Sequence, residues 1–486
     1  MKRLLLFWLL ACSTTPVPCA RAFETFGSPW FQPGGPGSPL ELTYSYSNLF
    51  DGGLLLQPDL SEHEIVLAVE EALGLWGSHA PLTFREVADP GGVVNDMIST
   101  GGGQIRIGHH PLDTNVLAHG FPPGVGLGGD VHYDDSDRTW SESAVLYIAV
   151  HESGHALGLG HEDDVTAVMN SIARPSRYDG LNSAFLYQDD IDGIHSLYGT
   201  GQGTVIPLAS VFDNGGTGQN WSTVNNWSSD AAPIISSVTQ IGNGMQVVLD
   251  SDAGSVRSLL LRDTATRLSV NPGGNLHVWT DVTMQAGTTL QVELDGLDPA
   301  AANRISVDQT ATLAGTISLT RLPDFGVLPG DTLEVLRYGT RSGNFTDLVH
   351  DGPVGLSLTA VPDDTAGALT LLAGGVGGDA NLDGVVDQAD ADLLAANWRQ
   401  SGLVRGWPLG DFNGDGLIDV VDLAITADNW EFGLPSPTGA PFDVPGFLAA
   451  VEQVPEPGTL VLAAFALASL VIGGGRYRAR FTASAA

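Results

Sequence analysis

The chain has 486 residues, too many for one compact core, so about two to four domains are expected. Acidic residues outnumber basic ones 56 to 20, and the formal net charge is −36. This balance argues against nucleic acid as a partner, because such binding depends on cationic contacts to phosphate. It is compatible with hard divalent cations, which prefer carboxylate ligands. The 62 glycines and low charge density predict β-rich, turn-rich modules with helices in the minority.

The N-terminus has the features of an export signal. A basic start precedes the apolar run Leu4–Ala11, and Ala20–Ala22 offers a cleavage site, so we predict a signal peptide over residues 1–22. The residues ending at Cys12 also resemble a lipobox, which leaves a lipidated N-terminus as the alternative. Because Cys12 and Cys19 are the two cysteines, we expect no disulfides after cleavage.

Hydrophobic periodicity predicts alternating strands and helices in the next region. Residues 42–46 alternate like a strand, and apolar residues recur at helical spacing over 62–76. Further strands are predicted at 82–87 and 104–108. A second helix, 143–159, carries the chain's main motif.

That motif places histidines at a spacing suited to one metal ion. His151 and His155 lie four residues apart, on one face of a helix, and Gly158 allows the sharp turn that brings His161 as a third ligand. Three neutral imidazoles leave a fourth position for water, as in catalytic zinc sites. Zinc lowers the pKa of that water and polarises a scissile carbonyl. Glu152 can accept the water proton and pass it to the leaving amine.

With these residues in place, the chain resembles the matrixin branch of the metzincins over residues 40–199. Met169 stands where that family has its Met-turn beneath the zinc, and Asp189–Ile194 resembles its closing helix, whose polar residues anchor the site. The resemblance implies an α+β catalytic domain over 23–200, with a mixed twisted sheet and three helices. It also implies zinc metalloendopeptidase activity on protein or peptide substrates.

The resemblance further implies a second, structural zinc. His119 and His132 match the family's metal loop. Upstream, the usual His-x-Asp pair is absent, which leaves the remaining ligands open. We favour His109 or His110, with Asp113 in support.

The same loop carries acidic residues that match calcium ligands of the family. By that resemblance Asp134 and Asp137 would bind calcium, and Asp130 is a candidate for a further calcium. The expected cofactors are therefore Zn²⁺, with catalytic and structural sites, and Ca²⁺.

Residues 201–376 change character to short alternating runs separated by Gly, Asp and Asn. This pattern is typical of a β-sandwich or a β-solenoid. We find no catalytic constellation in this stretch of sequence, and it predicts no function.

An acidic repeat follows, in which oxygen ligands recur at positions 1, 3, 5, 9 and 12 of each copy, with a glycine at the turn and a backbone carbonyl at position 7. The first copy comprises Asp379, Asn381, Asp383, Val385, Asp387 and Asp390; the second comprises Asp411, Asn413, Asp415, Leu417, Asp419 and Asp422. This is the EF-hand type of calcium loop, and two such loops, each with one following helix, resemble the type I dockerin module. We expect a small α-helical calcium-binding module over 377–432, with a cohesin-like protein as a possible partner, and a linker over 433–453.

The C-terminal region 454–486 resembles a PEP-CTERM sorting signal. A Pro-Glu-Pro box precedes the apolar run Leu460–Ile472 and an Arg-rich end. The run is short for a permanent spanning helix, which needs about 20 residues, so we expect transient membrane association and removal of the tail. An ordinary membrane anchor is the alternative.

These observations favour a multidomain, exported zinc metalloendopeptidase. The alternative, from a different class, is a non-catalytic scaffold or adhesion protein at the cell surface that uses its β-rich and dockerin-like regions. The presence of Glu152 favours the enzyme, because a protein retaining the metal site only for structure has no need of a base beside it.

Overall fold

The computed structural model describes residues 23–92, 95, 102–136, 138–163, 166–294 and 304–451. The chain forms two compact units. The first comprises the described residues up to Gln219 together with Thr223–Gln240 and Gly254–Leu259, and the second comprises the remainder. The predicted signal peptide and sorting tail lie outside the described residues. No helix among the described residues is long and apolar enough to cross a membrane.

Three α-helices lie in the described part of the first unit, the number expected for residues 23–200. Its helices are α1 (Glu62–Gly77), α2 (Glu142–Ala156) and α3 (Gln188–Tyr198). Its strands are β1 (Leu40–Tyr46), β2 (Leu55–Leu56), β3 (Leu82–Glu86), β4 (Ile105–His110), β5 (Ala118–Gly120), β6 (Val131–Asp134), β7 (Thr139–Trp140), β8 (Val205–Ile206), β9 (Ala209–Val211) and β10 (Val238–Ile241).

A mixed sheet with the order β5-β6-β4-β1-β3-β8 forms the framework of this unit. Its neighbouring strands are parallel except for β5, which pairs with β6 in the antiparallel direction. Helix α1 begins at a capping box, in which Ser61 and Glu64 bond to each other's backbone amides. It packs against α2, where the buried Trp76 indole donates to the carbonyl of Val150 at 3.0 Å. These contacts hold α2 in a fixed position.

The first unit is larger than the predicted domain of residues 23–200. Glu86, at the end of β3, is 3% exposed, and its carboxylate accepts hydrogen bonds from the Leu208 amide at 3.0 Å and from the Ser236 hydroxyl. Burial raises the pKa of Glu86 to about 7, although these hydrogen bonds oppose the shift. Arg257 also forms an ion pair with Glu70 of α1. Residues beyond 200 therefore supply partners for polar groups of the region that precedes them.

The second unit begins with a long β-rich region. Its strands, with two that lie at the boundary of the units, are β11 (Gln246–Leu249), β12 (Asp252–Val256), β13 (Ser258–Leu261), β14 (Arg267–Val270), β15 (Asn275–Val278), β16 (Val282–Met284), β17 (Thr289–Glu293), β18 (Ile305–Leu313), β19 (Thr316–Thr320), β20 (Thr332–Gly343), β21 (Asp347–His350), β22 (Leu356–Asp363) and β23 (Ala368–Gly375).

Parallel pairing distinguishes between the two architectures predicted for this region. Strands β11, β14, β17, β19 and β21 form one parallel sheet in that order. Leu268, Leu290 and Ile317 occupy equivalent positions in successive strands and are buried, so they form an apolar column. This stacking is typical of a solenoid, whereas sandwiches are usually antiparallel. The antiparallel hairpin of β22 and β23 follows at the C-terminal end.

The acidic repeats are followed by helices, as predicted: α4 (Gln388–Ala396) and α5 (Val420–Asp428). The predicted linker at 433–453 contains an additional helix, α6 (Val444–Val451). Phe447 of α6 joins the buried cluster of the repeats, with its ring 5.4 Å from that of Trp398. The linker prediction is therefore corrected, because this segment contributes an apolar anchor to the module before it.

Candidate metal centres

Helix α2 carries the predicted zinc motif in the interior of the first unit. Ser141 caps its N-terminus by accepting the amide of Ala144, and every residue from Val145 to Ala156 is buried. A Cβ atom at position 154 would overlap the sulphur of Met169, so glycine lets the Met169 segment lie directly against the helix. This close approach forms the floor of the site.

The histidines of the motif converge as the spacing predicted. His161 Nε2 lies 3.2 Å from His151 Nε2 and 3.0 Å from His155 Nε2. On the opposite side of each ring, His151 Nδ1 contacts the carbonyl of Val168 and His155 Nδ1 contacts that of Leu159, both at 2.8 Å. A proton on each Nδ1 leaves the Nε2 lone pairs directed at one point, the arrangement that a metal ion requires. The donor set and its support therefore fit zinc.

Burial keeps these imidazoles neutral. It lowers the pKa of His151 to about 4 and that of His155 to about 3, and it also lowers the pKa of the more exposed His161. Neutral imidazole is the form that binds metals. Two ligands are thus fixed in the interior, while the third is open to solvent.

Glu152 lies beside this triad and is 4% exposed. Its carboxylate accepts a hydrogen bond from the Gly120 amide of β5, and its Oε2 atom has no hydrogen-bond partner among the described residues. Burial raises the pKa of Glu152 to about 8, and the Gly120 amide opposes that shift. A buried carboxylate oxygen without a partner is costly, which indicates that it serves a bound group. The contribution of Gly120 could not be predicted from the sequence, because a strand glycine carries no signal of this contact.

Asp190 of α3 fixes the segment beneath the triad. Its buried carboxylate accepts the amides of Val168 at 3.0 Å and of Met169 at 3.1 Å. The Val168 carbonyl in turn contacts His151. Burial raises the pKa of Asp190, although these backbone hydrogen bonds oppose the shift. Met169 thus lies against Gly154 of α2, and its amide is bonded by Asp190 of α3.

A second triad forms at the edge of the sheet. His132 Nδ1 lies 3.2 Å from His110 Nε2 and 3.0 Å from His119 Nε2. The three residues come from β6, β4 and β5, and His132 is fully buried. Like the first, this group satisfies the geometry of a metal site with imidazole ligands.

The remaining residues considered for the structural zinc lie elsewhere. His109 contacts Asp51 at 2.8 Å and Asp135 at 2.6 Å through its two ring nitrogens. In the parallel pair of β4 and β6, Gly108 is opposite His132, so residue 110 shares the face of His132 and residue 109 has the other face. Asp113 is exposed and is not part of the converging group. Of the two histidines considered for the structural zinc, His110 and not His109 therefore belongs to the strand triad.

The acidic residues proposed for calcium in this loop have other contacts. Asp134 accepts the amides of Leu112 and Ser136 and pairs with Arg138 at 3.2 Å, and these contacts lower the pKa of its carboxyl against the opposing effect of burial. Asp130 is buried, 3.9 Å from Nε2 of His132, and burial raises its pKa to about 7. Asp137 lies outside the described residues. Among the described residues, Asp130 and Asp134 do not belong to a converging group of three metal-binding side chains, so calcium binding by this loop stays a prediction.

The two acidic loops of the second unit have matching internal geometry. Asp390 accepts the amides of Ala380 and Asn381, and in the second loop Asp422 accepts the amides of Phe412 and Asn413. The first residues of the two loops are also equivalent, since Asp379 and Asp411 each accept a hydrogen bond from a backbone amide of their own loop. Within the part of the chain described, no three carboxylates of either loop lie as close together as the histidines of the triads. Val385 and Leu417 occupy the carbonyl positions of the predicted ligand sets.

Comparisons with known proteins bear on the first unit. The matrixin family model matches residues 41–199. Interstitial collagenase of Oryctolagus cuniculus is 39% identical over 183 residues, which cover 36% of this chain and 36% of the relative. Stromelysin-1 of Mus musculus is 36% identical over 198 residues, 38% of this chain and 36% of the relative. Matrix metalloproteinase-27 of Tupaia belangeri is 40% identical over 153 residues, 29% of this chain and 28% of the relative.

The chain spans about a third of the length of the curated relatives it matches. The matched segment contains both histidine triads, Glu152 and Met169. Matrixins use catalytic and structural zinc together with calcium, so the predicted cofactors agree with the family. Residues 41–199 are thus similar to matrixin catalytic domains in sequence, and the first unit contains two histidine triads that fit zinc.

Proposed function

We propose that this protein is a zinc metalloendopeptidase that hydrolyses peptide bonds in proteins, with Glu152 as the general base. The observation that carries the proposal is the convergence of three Nε2 atoms beside a buried carboxylate oxygen without a hydrogen-bond partner among the described residues. The matrixin match supports the same activity. When bound by His151, His155 and His161, zinc supplies an activated water and polarises the substrate carbonyl.

Proton transfer and the orientation of the ligands then depend on residues of the protein itself. The Oε2 atom of Glu152 accepts the proton of the attacking water and delivers it to the nitrogen of the leaving amine. The Gly120 amide holds the carboxylate in place. His151 and His155 are kept in one orientation by the carbonyls of Val168 and Leu159, which lowers the cost of assembling the site.

An extended peptide fits the edge of the sheet next to this centre. Strand β5 is the terminal strand of this sheet, with β6 as its one strand neighbour within the described part of the chain, and we propose that a substrate pairs along its other edge. A Cβ atom at Gly120 would lie 3.0 Å from His155 Cβ, so β5 lies directly against the metal-binding helix. A substrate that adds as a strand would present internal peptide bonds to the site, which favours an endopeptidase.

The test uses the full chain with a mixed peptide library. Zinc-loaded protein should cleave internal bonds, a chelator should abolish cleavage, and zinc should restore it. The absence of cleavage from zinc-loaded, folded protein would overturn the proposal and favour the non-catalytic scaffold instead.

We propose that the loops of residues 379–390 and 411–422 bind calcium as a dockerin-like module. Their matching geometry and the burial of Asp390 and Asp422 support this. Burial and neighbouring carboxylates raise the pKa of Asp379 to about 6, a repulsion that a cation would relieve. Calcium should therefore raise the melting temperature of the full chain, and Asp415→Ala should reduce this increase. An equal melting temperature in calcium and in chelator would refute the proposal. Binding of a cohesin-like partner requires the calcium-bound module, so it would be refuted as well.

We also propose export, with removal of the tail near residues 455–458 after transient membrane association. Support comes from the sequence pattern at both ends of the chain. An intact-mass measurement on protein from its native host tests this. A mature C-terminus at Ala486 would leave the membrane anchor as the explanation of the apolar run.

A further inference from the structure

The dockerin-like module of residues 377–432 contacts the end of the β-rich region, and both belong to the second unit. The guanidinium group of Arg405 pairs with the carboxylate of Asp331 at 2.6 Å. The Trp407 indole donates to the carbonyl of Asp379 at 2.8 Å, and a Cβ atom at Gly375, the last residue of β23, would lie 3.0 Å from Trp407 Cζ2. Polar and apolar contacts therefore join the two parts of this unit.

The first acidic loop, residues 379–390, takes part in this junction. The Gly355 amide of the β-rich region donates to the carbonyl of Leu382 at 2.9 Å. A Cβ atom at Gly355 would overlap Oδ2 of Asp379, so glycine lets this turn approach the loop directly. The Leu382 side chain is 5% exposed, and a Cβ atom at Gly375 would lie 3.5 Å from its Cδ2 atom. Leu382 thus anchors the loop through both its backbone and its side chain.

The second acidic loop, residues 411–422, has no such anchor within the described part of the chain. Its residue equivalent to Leu382 is Gly414, and both have left-handed backbone, with φ of 58° for Leu382 and 73° for Gly414. This conformation is costly for leucine and readily adopted by glycine. A Cβ atom at Gly414 would meet no described atom within 4 Å. The contacts of Leu382 with the β-rich region therefore offset a strain that the second loop avoids.

We propose that calcium in the first loop locks the dockerin-like module against the β-rich region through Leu382, whereas calcium in the second loop stabilises the module alone. The inference rests on the calcium binding proposed above. Leu382 lies between Asn381 and Asp383, two of the proposed ligands, so a bound ion fixes the backbone that carries the anchor. Without the ion, the clustered carboxylates repel one another and this backbone is released. Calcium thereby converts a flexible connection into a fixed one.

The test follows hydrogen exchange of the full chain by mass spectrometry, in calcium and in chelator, on peptides that contain Gly355. Calcium should slow exchange of the Gly355 amide at least about 10-fold in the wild-type protein, because this amide donates to Leu382. Asp383→Ala should abolish the slowing. Asp415→Ala, the equivalent change in the second loop, is the matched control and should retain it. Calorimetric titration should show one calcium ion bound by each variant and two by the wild type.

Leu382→Gly separates the anchor from the ion, because it keeps every proposed ligand and copies the second loop. It should still bind two calcium ions but lose most of the slowing at Gly355. Since coupling between two equilibria is reciprocal, the first ion should bind about 5-fold more weakly, with the second unchanged. Val354→Ala is the control, because Val354 belongs to the contacting turn and is 87% exposed, and it should match the wild type.

Two results would overturn the inference and leave calcium binding intact. Equal loss of the slowing in Asp383→Ala and Asp415→Ala would show that either ion merely folds the module. Unchanged slowing in Leu382→Gly would show that this side chain is not the anchor. If Asp383→Ala does not fold, Leu382→Gly decides the question. A wild-type protein that binds no calcium would refute the proposed calcium binding itself, and the inference with it.

Discussion

The two histidine triads of the first unit reach similar ligand geometries from different secondary structures. His151 and His155 share a helix, and His161 follows after one turn of chain. His110, His119 and His132 come from three strands. In a helix the ligand spacing is fixed by the local period, whereas in a sheet it depends on the pairing of strands that are distant in sequence.

Their surroundings differ as well. The helical triad has the buried carboxylate of Glu152 beside it and a solvent-exposed third histidine, an arrangement that suits the proposed general base. In the strand triad, the nearby carboxylate of Asp130 lies 3.9 Å from His132 Nε2, on the side of the ring away from the other histidines. We infer that the first triad serves chemistry and the second holds the loop around β5.

We expect the largest difference between the two triads in the cleavage activity of histidine variants. His155→Ala should lose about one zinc per chain and abolish cleavage, because the water loses its activating ion. His132→Ala should also lose about one zinc but retain measurable cleavage, with lower thermal stability. Metal analysis after dialysis and peptide assays measure both quantities. Complete loss of activity in folded His132→Ala would contradict the inference that the strand triad has only a structural role.

Glu152→Gln tests the base alone. Turnover should fall about 10²- to 10⁴-fold with full zinc occupancy, because the amide cannot accept a proton from water. Glu142→Gln, the same change at the start of the same helix, is the control and should remain active. Similar turnover in Glu152→Gln and wild type would remove the base assignment but leave the metal assignment standing.

Adjacent histidines provide a sharper test of the strand triad. His110→Ala should lose about one zinc per chain, whereas His109→Ala should retain both, because His109 lies between Asp51 and Asp135 on the other face of β4. Zinc stoichiometry by metal analysis is the measurement. The reverse result would show that the strand register differs in the zinc-bound protein.

A smaller effect should come from the support of the helical triad. Asp190→Ala leaves the amides of Val168 and Met169 without their acceptor, so the free energy of unfolding should fall by about 2–3 kcal/mol. Denaturant unfolding measures it. Asp192→Ala, an exposed change on the same helix, should have little effect. Equal stabilities of the two variants would contradict the anchoring role of Asp190.

The sequence was informative about features that depend on residue spacing within one helix. The four-residue spacing of His151 and His155 identified the helical triad, and apolar periodicity located α1. Met169 and the closing helix came from the resemblance to matrixins, and the structure places both beneath the triad. The expectation of zinc and calcium as cofactors likewise comes from that family, whose members use both.

Contacts set by strand pairing could not be predicted in this way. The choice between His109 and His110 depends on which residue of β4 lies opposite His132, and the sequence does not state that register. Asp134 matched a calcium ligand by position, but Arg138 is its partner in the fold. The Gly120 amide contributes through its proximity to Glu152, which a strand glycine does not signal in the sequence.

The position of Glu86 bears on how this domain could be exchanged during evolution. The matrixin match ends at residue 199, yet the buried Glu86 carboxylate is bonded by Leu208 and Ser236. Recombination that joined residues 23–199 to another downstream module would preserve both triads but remove these partners. Each lost hydrogen bond to a buried carboxylate costs about 1–3 kcal/mol. A transferable cassette that keeps both hydrogen bonds of Glu86 therefore extends at least to Ser236.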